Sequence, residues 1–163
     1  MTTYKNPHAR RQVAVLIALM VACGLLLLLQ KPVKADTDLL LRATTHQAFD
    51  ATIADVQSGL TEQGFEVLFV QGIDIGLAKA GYHSDKYRII FLMPEHGVAK
   101  VLATRTDLAD AFPFKVTVYQ DKGRVVVFRA RTASQLDASV PAEVRRQFQA
   151  WDNRLDAVVK DIF

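Results

Sequence analysis

"KVTVYQDKGRVVVFRAR", residues Lys115 to Arg131, decides the fold class of this chain. Two β-prone runs flank Asp121-Lys122-Gly123, and Gly123 can take the positive φ of a tight reversal, so the stretch is predicted to be a β-hairpin. The rest of the chain must then supply further strands for the sheet and helices to cover it.

Upstream, "YRIIFL" from Tyr87 reads as a strand, and the segment between it and the hairpin contains a proline, a glycine and a helix-compatible stretch around Val98 to Ala103. "FEVLFVQGIDI" from Phe65 alternates at Phe65, Val67 and Phe69 as a strand does, with Asp74 at its end and "GLAKAGY" as a short helical turn. Before it, Phe49, Ile53, Val56 and Leu60 recur at spacings of 4, 3 and 4, a helical face that Thr44 or Thr45 can cap and Gly64 can stop. "DLLLRATT", Asp38 to Thr45, makes the first strand. Downstream, Val144, Phe148, Trp151, Leu155, Val158 and Ile162 repeat at 4, 3, 4, 3 and 4. Ser139 and Pro141 suit the first positions of that helix, which from Pro141 to Ile162 spans roughly 33 Å. The predicted class is α+β, a single domain with an antiparallel sheet covered on one face by a long C-terminal helix.

Half of the 163 residues are hydrophobic, enough for one domain with a real core. The formal net charge of +3 is unevenly placed. Lys5, Arg10, Arg11, Lys31 and Lys34 precede Asp36 with no acidic residue among them, leaving 15 Lys plus Arg against 17 Asp plus Glu beyond, a net of −2. A broad nucleic-acid surface needs clustered excess cation, so no nucleic-acid partner is expected. Arg124, Arg129 and Arg131, with Arg145 and Arg146, read as a solvated basic face. The single cysteine, Cys23, excludes an intrachain disulfide, a CxxC redox site and a cysteine zinc cluster.

The leader sets the compartment. Residues 1–12 are polar and cationic, Val13 to Leu29 is an uncharged run of 17 residues forming a hydrophobic helix, and 30–36 is a linker or cleavage region before the exported domain at 37–163. The cationic flank keeps the N-terminus in the cytoplasm, whether residues 13–29 are a retained transmembrane anchor or a signal peptide's h-region. "PVKA", ending at Ala35, suits cleavage before Asp36, and Cys23 after "MVA" loosely resembles a lipoprotein box. The expected location is a bacterial inner membrane with the C-terminal domain in the periplasm or outside the cell. The alternative is secretion after cleavage following Ala35.

The stretch from Phe49 to about Arg131 resembles the prokaryotic family known as domain of unknown function 302. The likeness rests on "GLTEQGFEVL", the "IDI" strand end, "KAGY" before an apolar strand, the proline in "FLMPEHG", and the proline-led hairpin "FPFKVTVYQDKGRVVV", taken in order. The resemblance implies a compact α+β fold gripped by a long helix, often paired as a homodimer, and carries no catalytic positions. Where many members have an asparagine before the proline, sometimes after a cysteine, Leu92-Met93 precede Pro94 here. Phe112 likewise replaces a leucine before the hairpin proline, a packing change.

No constellation names a reaction. Serines lack a GxSxG elbow, and Gly72, Gly76 and Gly81 form no phosphate-cradling loop. His83 and His96, with Asp85 and Glu95 near them and His46 in the same domain, are the candidate metal ligands, suited to zinc or copper outside the cytoplasm. A cleft between helix and sheet, lined by Phe65, Phe69, Phe91, Phe148 and Trp151, is the candidate ligand site. The expected function is a non-enzymatic, membrane-anchored binding or accessory module of the envelope, with a larger membrane complex as a possible partner. The alternative is a metal-binding envelope protein.

Overall fold

The computed structural model describes residues 39–162. Five strands, β1 (Leu40–Thr45), β2 (Phe65–Gly72), β3 (Tyr87–Pro94), β4 (Phe114–Asp121) and β5 (Arg124–Ala130), form one sheet in the order β1-β5-β4-β3-β2, antiparallel throughout. Four α-helices accompany it: α1 (Phe49–Glu62), α2 (Ile73–Lys79), α3 (Val98–Thr104) and α4 (Ala142–Asp161). The antiparallel α+β architecture with its C-terminal helix is as predicted. The hydrophobic helix expected at 13–29 lies outside the described residues.

The hairpin forms at the expected place. Lys122 (φ 49°) and Gly123 (φ 77°) both take positive φ, as a two-residue turn matched to the twist of its strands requires. β5 then pairs with β4 on one side and with β1 on the other, so the last strand in sequence is second in the sheet.

The covered face follows from the register. Ile90 opposes Val116, Leu92 opposes Phe114, and Val118 opposes Val127, all buried. Against them pack Phe49, Val56 and Leu60 of α1 and Val144, Phe148, Trp151, Leu155, Val158 and Val159 of α4. The helices approach closely where a Cβ on Gly59 would stand 3.1 Å from Cγ1 of Val158. Phe112 stacks on Phe114 at 5.1 Å and reaches Phe148 and Trp151 at 5.6 and 5.8 Å, so its bulk is used in packing.

Several local expectations are corrected. No threonine caps α1: Ala48 is its N-cap, without a side-chain cap bond, and Thr45 instead accepts the amide of Gln47 at 3.2 Å. Ser139 does not cap α4, whose N-cap is Pro141. The "IDI" segment leaves the sheet after Gly72 and enters α2, with Asp74 ion-paired to Arg88. A Cβ on Gly72 would stand 2.8 Å from Cδ1 of Ile75, so the change of direction needs glycine there. Gly64, with φ 73°, follows α1 as expected.

The decisive departure is in β2. Val67 opposes Leu92 but Phe69 opposes Phe91, so the register shifts at Leu68. A bulge adds one residue, and one residue reverses which face the following side chains occupy. Phe65 and Val67 face the core, as alternation predicts, whereas Phe69 emerges on the opposite side.

Candidate functional site

Helices α1, α3 and α4 send their buried residues into the covered side, away from this opposite face of the sheet. The open face carries the alternate residues of each strand, and its centre is aromatic. Phe69 stacks on Phe91 with centroids 4.4 Å apart, Tyr87 on Tyr119 at 5.9 Å, and Phe128 meets Tyr119 edge-on at 5.9 Å. Cations stand among the rings. Nζ of Lys115 lies 5.7 Å from the Phe91 centroid, Arg42 pairs in register with Phe128, and Arg124 closes the hairpin opposite Asp121. Leu40 at the start of β1 and Phe69 on β2 are 58% and 52% exposed. Leu40 and Phe69 stand on the two opposite edge strands of the sheet.

The expected aromatic cleft is therefore divided. Phe65, Phe148 and Trp151 are wholly buried in the core, where they fill space between sheet and helices. Phe69 and Phe91 lie on the far side of the sheet from them.

The two candidate metal ligands do not meet. His83 precedes β3 and His96 follows it, so the length of an eight-residue strand, roughly 27 Å, separates them. Among the described residues no group of three or more His, Cys, Asp or Glu is placed to hold a metal ion. His83 instead borders a hollow of about 520 Å³ with Asp74, Ile75, Lys79 and Tyr82 beside α2.

Sequence reading missed a buried charge cluster behind β5. Arg129, expected on a solvated face, is 2% exposed. It is ion-paired with Asp152 and donates to Asp156 Oδ1 at 2.7 Å, to the Asp152 carbonyl at 3.0 Å and to the Ala130 carbonyl at 2.9 Å. Asp152 also accepts the amides of Thr132 (3.2 Å) and Ala133 (2.7 Å), and Asp156 pairs with Arg131 at 2.7 Å. These contacts tie β5, the following turn and α4 together. Because each carboxylate bonds a guanidinium or backbone amides, the cluster holds the fold together. Two signals could have revealed it: Arg129 continues the period of Val125 and Val127, and Asp152 and Asp156 share the stripe of Phe148, Leu155 and Val159 on α4.

At the surface, the hydrogen bond from Lys100 holds the Glu143 carboxyl low, the one from Arg105 does the same to Asp107, and the Ser139 amide to Asp137. Carboxylates stabilised in their charged form are poor proton donors near neutral pH.

A family model, Domain of unknown function DUF302, matches residues 41–162. The chain belongs to the DUF302 family. A crystal structure of an uncharacterized conserved DUF302 protein from Bacillus stearothermophilus shares the fold, with a TM-score of 0.71 at 18% identity, covering 77% of this chain and 98% of that one. Among curated proteins none matches. The match spans all five strands but Leu40 and all four helices, so the open face and the Arg129 cluster both belong to the DUF302 domain.

Proposed function

We propose that this DUF302 protein is a membrane-anchored module of the cell envelope that acts by binding through the open face of its sheet, not by catalysis. The observation that carries the reading is that face: Phe69 stacked on Phe91, and Tyr87, Tyr119 and Phe128 in a row, with α1, α3 and α4 packed on the other side of the sheet. Its side chains offer stacking, apolar contact and cations, and no nucleophile with a base beside it. The anchor in this reading is Val13–Leu29, long enough to span a bilayer at the short end of the range, with its cationic flank inside the cell. Among the described residues no helix is long and apolar enough to cross a membrane.

The test is the intact mass and N-terminal sequence of the protein from separated membrane and soluble envelope fractions. An uncut chain in the membrane fraction is expected. A chain beginning at Asp36 in the soluble fraction would replace the anchored module with a secreted one. Crosslinking from Phe69 in intact cells then reads whether a larger membrane protein or a second copy sits near the face.

A further inference from the structure

We infer that the hollow where β4 and β5 part is a binding site for a small zwitterion of the α-amino acid class. The inference rests on the reading that this domain acts by binding, and it needs neither the anchor nor a partner over the open face.

The hollow follows from the register. β4 and β5 pair from Asp121 and Arg124 as far as Thr117 and Phe128, and there the ladder stops. β4 continues to Phe114 against Leu92 of β3, and β5 to Ala130 against Leu40 of β1, so each strand stays in the sheet while the two draw apart. The reason lies beyond Phe128. Arg129 is held to Asp152 and Asp156 on α4, and Asp152 takes the amides of Thr132 and Ala133, which turns the chain toward the helix. The main chain at Lys115 and at Ala130 is left facing a gap with no strand pairing across it. There a hollow of about 300 Å³ opens, at the low end of the range for small-molecule sites.

Three features of the lining select the ligand. Lys115 and Asp110, both exposed, border the hollow with opposite charges, and among the described residues neither has an ion pair. The charge of Arg129, on the inner wall, is already matched by Asp152 and Asp156. A carboxylate beside Lys115 and an ammonium beside Asp110 would complete both groups, whereas a ligand of single charge would leave one unmatched. The second feature is Thr117, which also lines the hollow and is 7% exposed. Its hydroxyl makes no hydrogen bond among the described residues, so it stands as an unused donor and acceptor. The third is apolar: Pro113 and Phe128 form walls that favour an apolar side chain on the ligand.

The test is isothermal titration calorimetry of the full chain in nonionic detergent with L-leucine, leucinamide and isocaproate. Leucine is expected to bind one to one. Each analogue keeps one charge and should bind about tenfold or more weakly, the factor a hydrogen bond to a charged group supplies. Lys115→Gln should weaken leucine by a similar factor and leave leucinamide unchanged. Asp110→Asn should weaken leucine and leave isocaproate unchanged. Thr117→Val, which removes only the hydroxyl, should weaken leucine about fivefold. The near-ultraviolet signal of Trp151, wholly buried in the core, reads whether each variant is folded. Leucine bound no more tightly than both analogues, or held equally by the Lys115 and Asp110 variants, overturns the inference. So does leucine that at millimolar concentration gives neither heat nor a rise in melting temperature. Crosslinking from Phe69 in intact cells reads the open face separately, so a crosslink with no leucine binding overturns the inference and leaves the binding reading standing.

Discussion

Arg129 on β5 donates through Nη1 to Oδ1 of Asp156 on α4 at 2.7 Å, with its side chain only 1% exposed. This contact and the neighbouring pair with Asp152 join the second strand of the sheet to the helix that covers it. A charge removed from such a site leaves its partner in the interior without compensation, which costs far more than the pair itself is worth. Nε of Arg129 has no acceptor among the described residues, so the cluster is held by four well-placed contacts and not by complete satisfaction.

Arg129→Met is accordingly expected to destabilise the domain by about 3–5 kcal/mol, because Asp152 and Asp156 lose their guanidinium. Urea denaturation of the variant and the parent measures this. Replacing all three by apolar residues of similar volume should cost less than the single substitution, and a loss below about 1 kcal/mol for Arg129→Met would mean the cluster is hydrated and cheap.

Phe69 and Phe148 were alike in the sequence but differ in burial, so their truncation should separate them. Phe148→Ala empties part of the core and should cost about 3–5 kcal/mol. Phe69→Ala loses one stacking contact on a half-exposed ring, about 1 kcal/mol. Equal effects would contradict the register shift at Leu68.

Gly97 occupies a position where any side chain is strained. Its φ is 93°, and a Cβ would stand 3.1 Å from Cζ2 of Trp151, itself locked among Phe112, Phe114 and Phe148. Gly97→Ala should therefore destabilise by about 1–3 kcal/mol, from backbone strain and displacement of the indole. Thermal unfolding by near-ultraviolet circular dichroism would read both effects, and an unchanged Trp151 signal with unchanged stability would refute it.

Acid should weaken the fold through its surface carboxylates. Asp107, Asp137 and Glu143 are held below their ordinary values, by Arg105, the Ser139 amide and Lys100 respectively. A depressed folded value means the unfolded chain binds protons first, so their stabilisation is present above the ordinary carboxylate range and lost as pH falls below about 4. Lys100 is raised by its hydrogen bond to Glu143, so its contribution is present at neutral pH and lost as pH rises past about 10. All are exposed, so the effect is small and shrinks with salt. Stability curves between pH 2 and 7 for Asp107→Asn/Asp137→Asn/Glu143→Gln should be flatter than for the parent.

Period and punctuation made most elements legible. The 4, 3, 4 recurrence on α1 and α4 and the Lys122-Gly123 reversal are local properties of the chain, and they appear where the sequence places them. Caps were less legible. Thr45 and Ser139 have the chemistry to cap, but the chain enters α1 and α4 through Ala48 and Pro141, because tertiary packing sets where each helix starts.

By itself, then, the sequence determined the fold class, the hairpin, the two covering helices and the family. Those follow from residue periodicity, which a single strand or helix expresses without reference to its neighbours. Only the tertiary structure decided which aromatics meet. The bulge at Leu68 depends on how β2 registers against β3, and it sends Phe69 to the open face beside Phe91 while Phe65 stays in the core. It also decided that Arg129 is buried and that His83 and His96 stand at opposite ends of β3, since charge pairing and separation are distances in space.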